Sequence, residues 1–340
     1  MKKTTHSYAG LWVTKDRYIR HELLPDGRYV EARGNVECAY TGHYQITDDH
    51  IEYQDDTGFT ADGDFINGIL YHAGMVLHRE RSLEFLNENY QKEDDTRMSI
   101  KNKVVLVTGG SSGIGAATVD LLAENGAKVI AAARRTEKLE TLVSTLLQKG
   151  YSADYKQLDV TDFEQMQHTV QEIIEAYGKI DVIVNNAGVM PLSKLESLKI
   201  AEWNRMIDVN IRGVLHGIGA VLPIMKEQNS GHIVNIASIG AYEVTPTAAV
   251  YCATKYAVRA ITEGLRQETT NNIRATVIAP GVTESELADH ITDKQASEAM
   301  IEYRRQALPA SAIAHAILYA ISQPVEIDVS ELIVRPTLSL

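Results

Sequence analysis

A glycine-rich segment that directly follows a short apolar run constrains this chain more than any other part of its sequence. The apolar run is Val104 to Val107, and the next residues are Thr108-Gly109-Gly110-Ser111-Ser112-Gly113-Ile114-Gly115. A strand that ends in closely spaced glycines and then opens a helix is typical of a dinucleotide site. There, a pyrophosphate comes within hydrogen-bonding distance of backbone N–H groups at the helix N-terminus. We expect Gly109 to allow the turn, Gly113 the close approach and Gly115 the tight packing of helix on strand. Ser111, Ser112 and Ile114 lie between these glycines and are expected to contact the same ligand.

Length, charge and cysteine content limit the kind of protein. At about 150 residues per domain, the 340 residues predict two units. The net charge of −12 argues against a nucleic-acid partner, because a phosphate backbone would be repelled. No apolar stretch approaches the roughly 20 residues of a membrane span, and the polar start at residues 1–6 does not resemble a signal peptide. Cys38 and Cys252 lie far apart and lack metal-binding spacing. We therefore expect a cytoplasmic protein with no metal and no membrane partner.

The N-terminal part of the chain predicts a small all-β domain. It contains short alternating segments, separated by turn signals at 25–27, 47–49, 56–58 and 62–64. Many short, evenly spaced strands without a helix indicate a barrel or sandwich. The predicted strands are Gly10–Thr14, Tyr18–Leu23, Arg28–Arg33, Cys38–Ile46, His50–Tyr53, Phe65–Tyr71 and Met75–Arg79.

Gly10-Leu11-Trp12 is similar to the G-x-W that opens lipocalin-like and avidin-like barrels. Residues 7–80 resemble a small, uncharacterised bacterial family with a streptavidin-like fold. We therefore assign residues 1–80 to a β-barrel domain. Residues 81–98 are charged and show no apolar period, so they are predicted to be a linker.

From residue 99 to 340 the sequence predicts an α/β domain. Apolar strands alternate with helices of 10–20 residues, which is typical of a doubly wound, Rossmann-like parallel sheet. A fusion of two genes is the simplest account of the whole chain. The predicted strands include Val104–Thr108, Lys128–Ala133, Asp181–Asn185, His232–Ile236 and Arg274–Ile278.

Tyr251 and Lys255 are four positions apart, which places them on one face of a helix, one turn apart. A phenol, with a pKa of about 10, works poorly as an acid or base at neutral pH unless its anion is favoured. An ammonium about 4 Å away would lower that pKa by about three units. Ser238 ends a predicted strand 13 residues earlier, and Asn210 lies in a predicted helix. These four residues are the candidate catalytic set.

Five motifs together resemble the short-chain dehydrogenase/reductase family, over about residues 99–340. They are the glycine-rich segment, Asn185-Asn186-Ala187-Gly188, Asn210, Ser238 and the Tyr251–Lys255 pair. The resemblance implies that Tyr251 exchanges a proton with the substrate oxygen, and that Lys255 lowers its pKa and contacts the nicotinamide ribose. Ser238 would orient the substrate oxygen. Asn210 would hold a water that links Lys255 to solvent, or would serve only as a structural hydrogen bond. Asn186, Ala187 and Gly188 would line the cofactor.

The second strand of the α/β domain predicts the cofactor. An NAD-specific site places an acidic residue at the end of this strand, on the ribose hydroxyls. Here Ala133 takes that position, and Arg134 and Arg135 follow it. A carboxylate would repel a 2′-phosphate, whereas a guanidinium can pair with it through two hydrogen bonds. We therefore predict NADP(H), to which Ser111 would add a hydroxyl. The alternative is that both arginines are only solvated at a helix start.

Further cofactor contacts follow from the resemblance. Asp159 matches the family position whose neighbours hold the adenine ring. Relatives often have Pro-Gly-x-Val-x-Thr after the sixth strand, whereas this chain has Pro280-Gly281-Val282-Thr283-Glu284-Ser285. Thr283 would meet the carboxamide through its backbone, and Ser285 would reach the cofactor phosphate. The two replacements affect the expected cofactor affinity and not the type of reaction.

Substrate contacts are expected from 190–192, 239–245 and 284–302, and the last segment is a candidate mobile lid. Glu243 and Glu284 either face the cleft or are solvated. The end of the chain resembles the NADP-dependent 3-hydroxy acid dehydrogenase-like subgroup. The predicted function is reduction of a small ketone or aldehyde, or oxidation of a secondary alcohol or 3-hydroxy acid. The alternatives are an NADP(H)-binding redox sensor, or a protein whose barrel captures a small ligand or docks a partner. Family relatives are commonly tetramers, so a homo-oligomer, either a dimer or a tetramer, is expected.

Overall fold

The computed structural model describes residues 8–80, 99–269 and 272–337. They fall into two compact units, one within 1–96 and the other within 97–340. The predicted linker at 81–98 lies outside the described residues.

The N-terminal unit is a closed antiparallel barrel of eight strands in sequence order. The first strand closes the barrel by pairing with the last, Trp12 opposite Arg79. Alternate residues point inward, which buries large side chains such as Trp12, Ile51 and Leu77. The strands are β1 (Gly10–Val13), β2 (Ile19–Leu23), β3 (Arg28–Arg33), β4 (Val36–Thr47), β5 (His50–Asp55), β6 (Thr60–Ile66), β7 (Ile69–His72) and β8 (Met75–Arg79). The predicted barrel is thus confirmed.

One predicted strand and one predicted turn in this barrel are wrong. The segment Phe65–Tyr71 is not a single strand, because Asn67 (φ 51°) and Gly68 (φ 80°) form a two-residue turn between β6 and β7. Two consecutive positive φ values are typical of the type I′ hairpin turn, for which Asn-Gly is the preferred sequence. The predicted turn at 62–64 lies inside β6. Gly63 serves close packing there, since a Cβ would lie 2.5 Å from the backbone oxygen of Tyr71.

The second unit contains a parallel sheet of seven strands in the order β11-β10-β9-β12-β13-β14-β15. This confirms the predicted doubly wound architecture. The strands are β9 (Val104–Thr108), β10 (Lys128–Ala133), β11 (Ala153–Gln157), β12 (Val182–Asn185), β13 (Gly231–Ile236), β14 (Ile273–Pro280) and β15 (Glu331–Val334). The helices are α1 (Gly113–Glu124), α2 (Thr136–Gln148), α3 (Phe163–Tyr177), α4 (Ile200–Ile207), α5 (Gly213–Gln228), α6 (Ala249–Glu268), α7 (Lys294–Tyr303) and α8 (Ala310–Ser322).

The order of the strands determines where a ligand can bind to this sheet. The chain proceeds from β9 to β10 and β11 in one direction, and then crosses back to β12 on the other side of β9. Connections therefore leave β9 and β12 in opposite directions, which opens a crevice at the carboxyl ends of these two strands. Ligands of open α/β sheets bind in such a crevice.

Helices α4 and α5 form one continuous helical segment from Ile200 to Gln228. By length and composition alone it could cross a membrane, which corrects the expectation that no stretch comes close. Among the described residues it is the one segment that meets this criterion. Core helices of soluble proteins meet it as well, and Val214, Val221 and Met225 of this helix pack in the main core of the sheet.

Candidate active site

The glycine-rich loop connects β9 to α1 and forms one wall of a cavity of about 240 Å³. Gly109 has a φ of 66°, and a Cβ there would lie 2.9 Å from the Cα of Ala187. A Cβ on Gly115 would lie 2.2 Å from the backbone oxygen of Gly109. A side chain at either position would therefore displace the loop. Ser112 precedes α1 without capping it through its side chain, so the first N–H groups of the helix are left for a ligand.

Asn186 fixes this loop from the neighbouring strand. Its Nδ2 donates to the backbone oxygens of Thr108, at 2.9 Å, and Gly109, at 3.3 Å. The hydroxyl of Thr108 in turn accepts from the backbone N–H groups of Asn186 and Ala187, at 3.0 and 3.1 Å. Asn186 lines the cavity as predicted, while its amide is bonded to the loop.

Three cations lie at the start of α2. Ala133 is buried at the end of β10, and the exposed Arg134 and Arg135 follow it and line the cavity. Arg135 Nη2 donates to the hydroxyl oxygens of Ser111, at 3.1 Å, and Ser112, at 2.9 Å. Lys138, which the sequence analysis missed, follows one turn later.

Glu286 was also missed. It belongs to a short 3₁₀ turn, Glu286–His290, after β14, and its carboxylate pairs with Arg135 at 2.7 Å and Lys138 at 2.6 Å. The hydrogen bonds from Lys138 and Arg135 lower the pKa of Glu286 to about 2.

Asp159 lines the same cavity, and so do its chain neighbours Leu158 and Val160. Its Oδ1 accepts from the backbone N–H and the hydroxyl of Thr161, at 3.0 and 2.8 Å. Burial acts to raise the pKa of Asp159, but the bonds from Thr161 outweigh it and the pKa is lowered. The carboxylate therefore shapes the turn after β11, and the apolar side chains beside it face the cavity.

Tyr251, Lys255 and Ser238 line a second cavity of about 360 Å³. Tyr251 and Lys255 project from one face of α6, with Lys255 Nζ 5.8 Å from the centre of the Tyr251 ring. Ser238 follows β13, and its hydroxyl oxygen accepts from the backbone N–H of Gly240 at 3.1 Å, at the start of a 3₁₀ turn. The three predicted residues therefore converge from two elements on one space.

Burial dominates the ionisation of this group. It raises the pKa of Tyr251 to about 12, although a hydrogen bond with Ser238 acts in the opposite direction. It lowers the pKa of Lys255 to about 8. Nζ of Lys255 donates to the backbone oxygen of Ile236 at 2.8 Å. The expected lowering of the Tyr251 pKa by Lys255 is thus wrong for this arrangement, because desolvation favours the neutral form of both groups.

Asn210 is fully buried behind the second cavity. It lies in a π-helical turn, Asp208–Arg212, between α4 and α5. Its Nδ2 donates to the backbone oxygen of Val189, at 3.0 Å, and to Thr254 Oγ1, at 3.1 Å, and its Oδ1 accepts from Val189 N at 2.8 Å. Both amide hydrogens are used, whereas Oδ1 has one donor among the described residues and can accept a second hydrogen bond. A Cβ on Gly188 would lie 3.4 Å from this oxygen and 3.7 Å from Lys255 Nζ.

The two cavities are continuous, because six residues line both of them. The shared residues are Ile114, Asn186, Gly188, Val189, Ser285 and Leu287. Most of the predicted site residues line one of the two cavities, whereas Gly115 packs beneath the loop and Asn210 lies behind the wall. Pro280, Gly281, Thr283 and Ser285 line the second cavity, as their predicted role requires. Thr283 Oγ1 donates to the backbone oxygen of Gly281 at 3.0 Å, which stabilises this turn.

The predicted lid segment covers the second cavity with a helix. Ala296 and Met300 of α7 pack with Leu192, Tyr251 and Cys252 in one apolar cluster. Burial raises the pKa of the Cys252 thiol, consistent with a core residue. Glu243 lines the cavity and pairs with Arg335 at 3.5 Å, whereas Glu284 is exposed. Arg304, two residues beyond the predicted segment, lines the cavity too and donates to the backbone oxygen of Ser285.

The residues fit an adenine dinucleotide. A glycine-rich loop leads to a helix N-terminus that no side chain of Ser112 caps. Cations and hydroxyls line the first cavity, and a Tyr–Lys–Ser group lines the second. The first cavity would hold the adenosine half and the second the nicotinamide and a small substrate.

Both parts of the chain match known families. Residues 103–296 match the short chain dehydrogenase family. Residues 5–79 match a family described as Agrobacterium tumefaciens protein Atu4866.

Individual proteins are similar to this chain over a length that corresponds to its second unit. An uncharacterized oxidoreductase of Staphylococcus saprophyticus is 51% identical over 243 residues, which are 70% of this chain and 98% of that protein. A short-chain dehydrogenase/reductase from Burkholderia phymatum in complex with NAD superposes with a TM-score of 0.65 at 27% identity, covering 69% of this chain and 89% of that one. A gluconate 5-dehydrogenase from Burkholderia cenocepacia, in complex with NADP and tartrate, superposes with a TM-score of 0.64 at 29% identity. The superposition covers 71% of this chain and 97% of that one.

Proposed function

The chain belongs to the short-chain dehydrogenase/reductase family, and we propose that it is an NADP(H)-dependent oxidoreductase with Tyr251 as its general acid and base. Its substrate would be a small ketone or aldehyde, or in reverse a secondary alcohol or 3-hydroxy acid. The observation that carries the proposal is the convergence of Tyr251, Lys255 and Ser238 on a cavity continuous with the glycine-rich cradle.

When bound, the nicotinamide would supply or accept a hydride. Tyr251 would donate its proton to the carbonyl oxygen during reduction. With a pKa of about 12 the phenol carries that proton at neutral pH, which is the form that reduction needs. Ser238 would orient the same oxygen and stabilise the charge that grows on it.

Lys255 would pass a proton to Tyr251 after each reduction, and would itself be reprotonated from solvent through a water that Asn210 holds. Nζ of Lys255 and Oδ1 of Asn210 lie on the same side of Gly188. A water between them would accept hydrogen bonds from the ammonium and donate one to the amide oxygen. Asn210 therefore serves two purposes in this proposal, because its other hydrogen bonds hold Val189 and Thr254.

The preference for NADP(H) rests on the cations at the start of α2. A helix N-terminus carries positive partial charge, so Arg134, Arg135 and Lys138 are unfavourable there unless an anion joins them. The 2′-phosphate is such an anion. The hydroxyls of Ser111 and Ser112, 3.1 and 2.9 Å from Arg135 Nη2, would add two donors. Solved relatives with NAD and with NADP are both known, so the preference is a proposal about this chain's own residues.

The second cavity supports a small substrate. Its walls are mainly apolar, and the cation Arg304 is among the residues that line it and would pair with a carboxylate. We therefore include 3-hydroxy acids among the candidate substrates. A gluconate 5-dehydrogenase of similar fold is known in complex with tartrate, which is itself a hydroxy acid.

We further propose a cytoplasmic homo-oligomer in which the barrel and the oxidoreductase are separate domains joined by a linker. The Staphylococcus saprophyticus relative matches over 98% of its length, although the match covers only 70% of this chain. This supports an oxidoreductase part that folds without the barrel. Removal of residues 1–97 with unchanged kinetics would show that the barrel acts independently.

Turnover tests the proposed function. NADPH and NADH oxidation should be followed with a panel of small ketones, aldehydes and 3-oxo acid esters, with the Tyr251→Phe variant as a control. Turnover with NADPH that disappears in the variant is the expected result. Tight NADPH binding without turnover across the panel would instead favour a redox sensor.

A further inference from the structure

The carboxylate of Glu286 accepts hydrogen bonds from Arg135 and Lys138, the same donors that the proposed 2′-phosphate needs. Glu286 pairs through Oε2 with Arg135 Nη1, at 2.7 Å, and through Oε1 with Lys138 Nζ, at 2.6 Å. The other amino group of Arg135 holds the hydroxyls of Ser111 and Ser112. Glu286 thereby connects the turn after β14 to the start of α2 and to the glycine-rich loop.

Glu286 is charged at every pH at which the protein would be assayed. The bonds from Lys138 and Arg135 lower its pKa to about 2, so neutral pH leaves a full negative charge at the rim of the first cavity. A phosphate and a carboxylate cannot share the same two cations without repulsion at short range. The two anions therefore compete for Arg135 and Lys138.

The geometry points to Glu286 as a specificity-determining residue that competes with the 2′-phosphate of NADP(H) and so keeps NAD(H) usable. The inference rests on the proposed function. When a 2′-phosphate enters, the Glu286 side chain turns toward solvent. When the nucleotide has a free 2′-hydroxyl, Glu286 stays and can accept a hydrogen bond from it. This carboxylate then replaces the acidic residue that is absent at Ala133.

Glu286 can make this movement. Its side chain is 36% exposed, and it lies at the start of a short 3₁₀ turn rather than inside a long helix. The charge balance still favours the phosphate, because Arg134 is also present and one carboxylate neutralises only part of three cations. Glu286 therefore weakens the preference for NADP(H) over NAD(H) but does not abolish it.

Binding of two nucleotide fragments tests this inference without turnover. Adenosine 2′,5′-bisphosphate and 5′-AMP differ only in the 2′-phosphate, and both can be titrated calorimetrically into the full-length protein at pH 7.5. The variant is Glu286→Gln, which keeps the shape and removes the charge. Asp289→Asn is the matched control, because Asp289 is exposed in the same turn and lies outside the residues that line the two cavities.

The bisphosphate should bind at least about fivefold more tightly to Glu286→Gln than to the wild type, since an anion that competes for its cations is gone. Binding of 5′-AMP should change less than twofold or become weaker, and Asp289→Asn should resemble the wild type. Half-exposed ion pairs contribute little to stability, so the variant should remain folded, which a melting curve checks.

The other outcomes separate the two proposals. If the wild type prefers the bisphosphate and Glu286→Gln leaves that preference unchanged or smaller, Glu286 does not compete and the inference is overturned. If neither fragment binds the wild type, the proposed dinucleotide site is wrong, and this inference is wrong with it. Equal binding of both fragments by wild type and variant would overturn the NADP preference together with the role of Glu286.

Discussion

Nζ of Lys255 donates to the backbone oxygen of Ile236 at 2.8 Å, and this hydrogen bond fixes the ammonium at the carboxyl end of β13. Lys255 is only 6% exposed, and burial lowers its pKa from 10.5 to about 8. The protein therefore holds a charge in a place that disfavours it. Such a cost is common where function requires a group that stability does not.

Replacing Lys255 by Met should stabilise the protein and stop turnover. The pKa difference of about 2.5 units corresponds to roughly 3 kcal/mol, and one kcal/mol shifts Tm by about 2–4 °C in a domain of this size. The unfolded lysine binds more protons between pH 8 and 10.5, so the wild type gains stability as pH rises through that range. The Lys255→Met variant should therefore exceed the wild type in stability by most below pH 8, and the difference should shrink toward pH 10.5.

Melting curves of both proteins at several pH values measure this difference. Lys226→Met is a suitable control, because Lys226 is exposed in the last turn of α5. An advantage that does not vary between pH 7 and 10.5 would show that Lys255 is not desolvated as described.

Tyr251→Phe should bind NADPH as well as the wild type and turn over at least about 10²-fold more slowly. General acid–base catalysis by a positioned side chain contributes about 10²–10⁴-fold, and the substitution removes only the hydroxyl. Cofactor fluorescence gives the binding and steady-state assays give the rate. Tyr256→Phe, on the exposed side of the same helix, is the matched control. Retained turnover in Tyr251→Phe would place the proton donor elsewhere.

The sequence predicted the residues that lie together in one motif, and it missed those brought together by the fold. Arg134 and Arg135 follow a recognisable strand, so both could be assigned. Glu286 lies 151 positions from Arg135, and its role depends on where the turn after β14 passes the start of α2. Arg304 was missed for the same reason.

Strand prediction failed where the local pattern was ambiguous. β11 (Ala153–Gln157) has few apolar residues because it is at the sheet edge, so its sequence lacks the run that identifies β9 or β12. In the barrel, Asn67-Gly68 was a sufficient turn signal, but an apolar residue on either side made the segment resemble one strand. The ionisation of Tyr251 could not be predicted either, because the spacing of a Tyr–Lys pair does not report its burial.

Gly188→Ala should slow proton return while leaving the fold intact. The added methyl group would lie 3.4 Å from Asn210 Oδ1 and 3.7 Å from Lys255 Nζ, distances that are ordinary contacts for carbon. A water shared by those two groups would lose its place. We expect kcat to fall by about tenfold or more, because assisted proton transfer contributes about 10²–10⁴-fold.

The dissociation constant of NADPH must be measured alongside, since Gly188 also lines the cofactor cavity. A fall in kcat with unchanged cofactor binding and an altered pH profile is the expected combination. Weaker NADPH binding with kcat and pH profile unchanged would mean that the space beside Gly188 serves the cofactor and not a relay.

Arg304→Gln should distinguish acidic from neutral substrates. A charge-assisted hydrogen bond contributes about 1.5–3 kcal/mol, so kcat/KM for a 3-hydroxy acid should fall by about 10- to 100-fold. Its methyl ester and simple secondary alcohols should change little. Arg305→Gln is the control, since Arg305 is exposed and pairs with Glu302 at 2.9 Å. Equal losses for acids and esters would show that Arg304 acts only by holding Ser285.

A buried carboxylate that is hydrogen-bonded to a histidine should make the barrel sensitive to acid. His21 Nε2 lies 2.6 Å from Glu31 Oε2, with the two side chains 1% and 7% exposed. Burial opposes ionisation, but His21 and Arg33 outweigh it and lower the pKa of Glu31. A lowered carboxyl pKa stabilises the fold above the pKa of the unfolded glutamate, and this contribution is lost as pH falls below it. Loss of a hydrogen bond to a charged group costs about 1.5–3 kcal/mol.

Glu31→Gln should therefore destabilise the barrel at pH 7 by about 1.5–3 kcal/mol, and the difference in stability from the parent protein should narrow toward pH 4. The chain has two tryptophans, Trp12 in the barrel and Trp203 in α4, so a Trp203→Phe background lets fluorescence report the barrel alone. Glu22→Gln, at an exposed position of β2, controls for the loss of charge. If the barrel is equally stable in Glu31→Gln and Glu22→Gln at pH 7, the His21–Glu31 pair has no stabilising role.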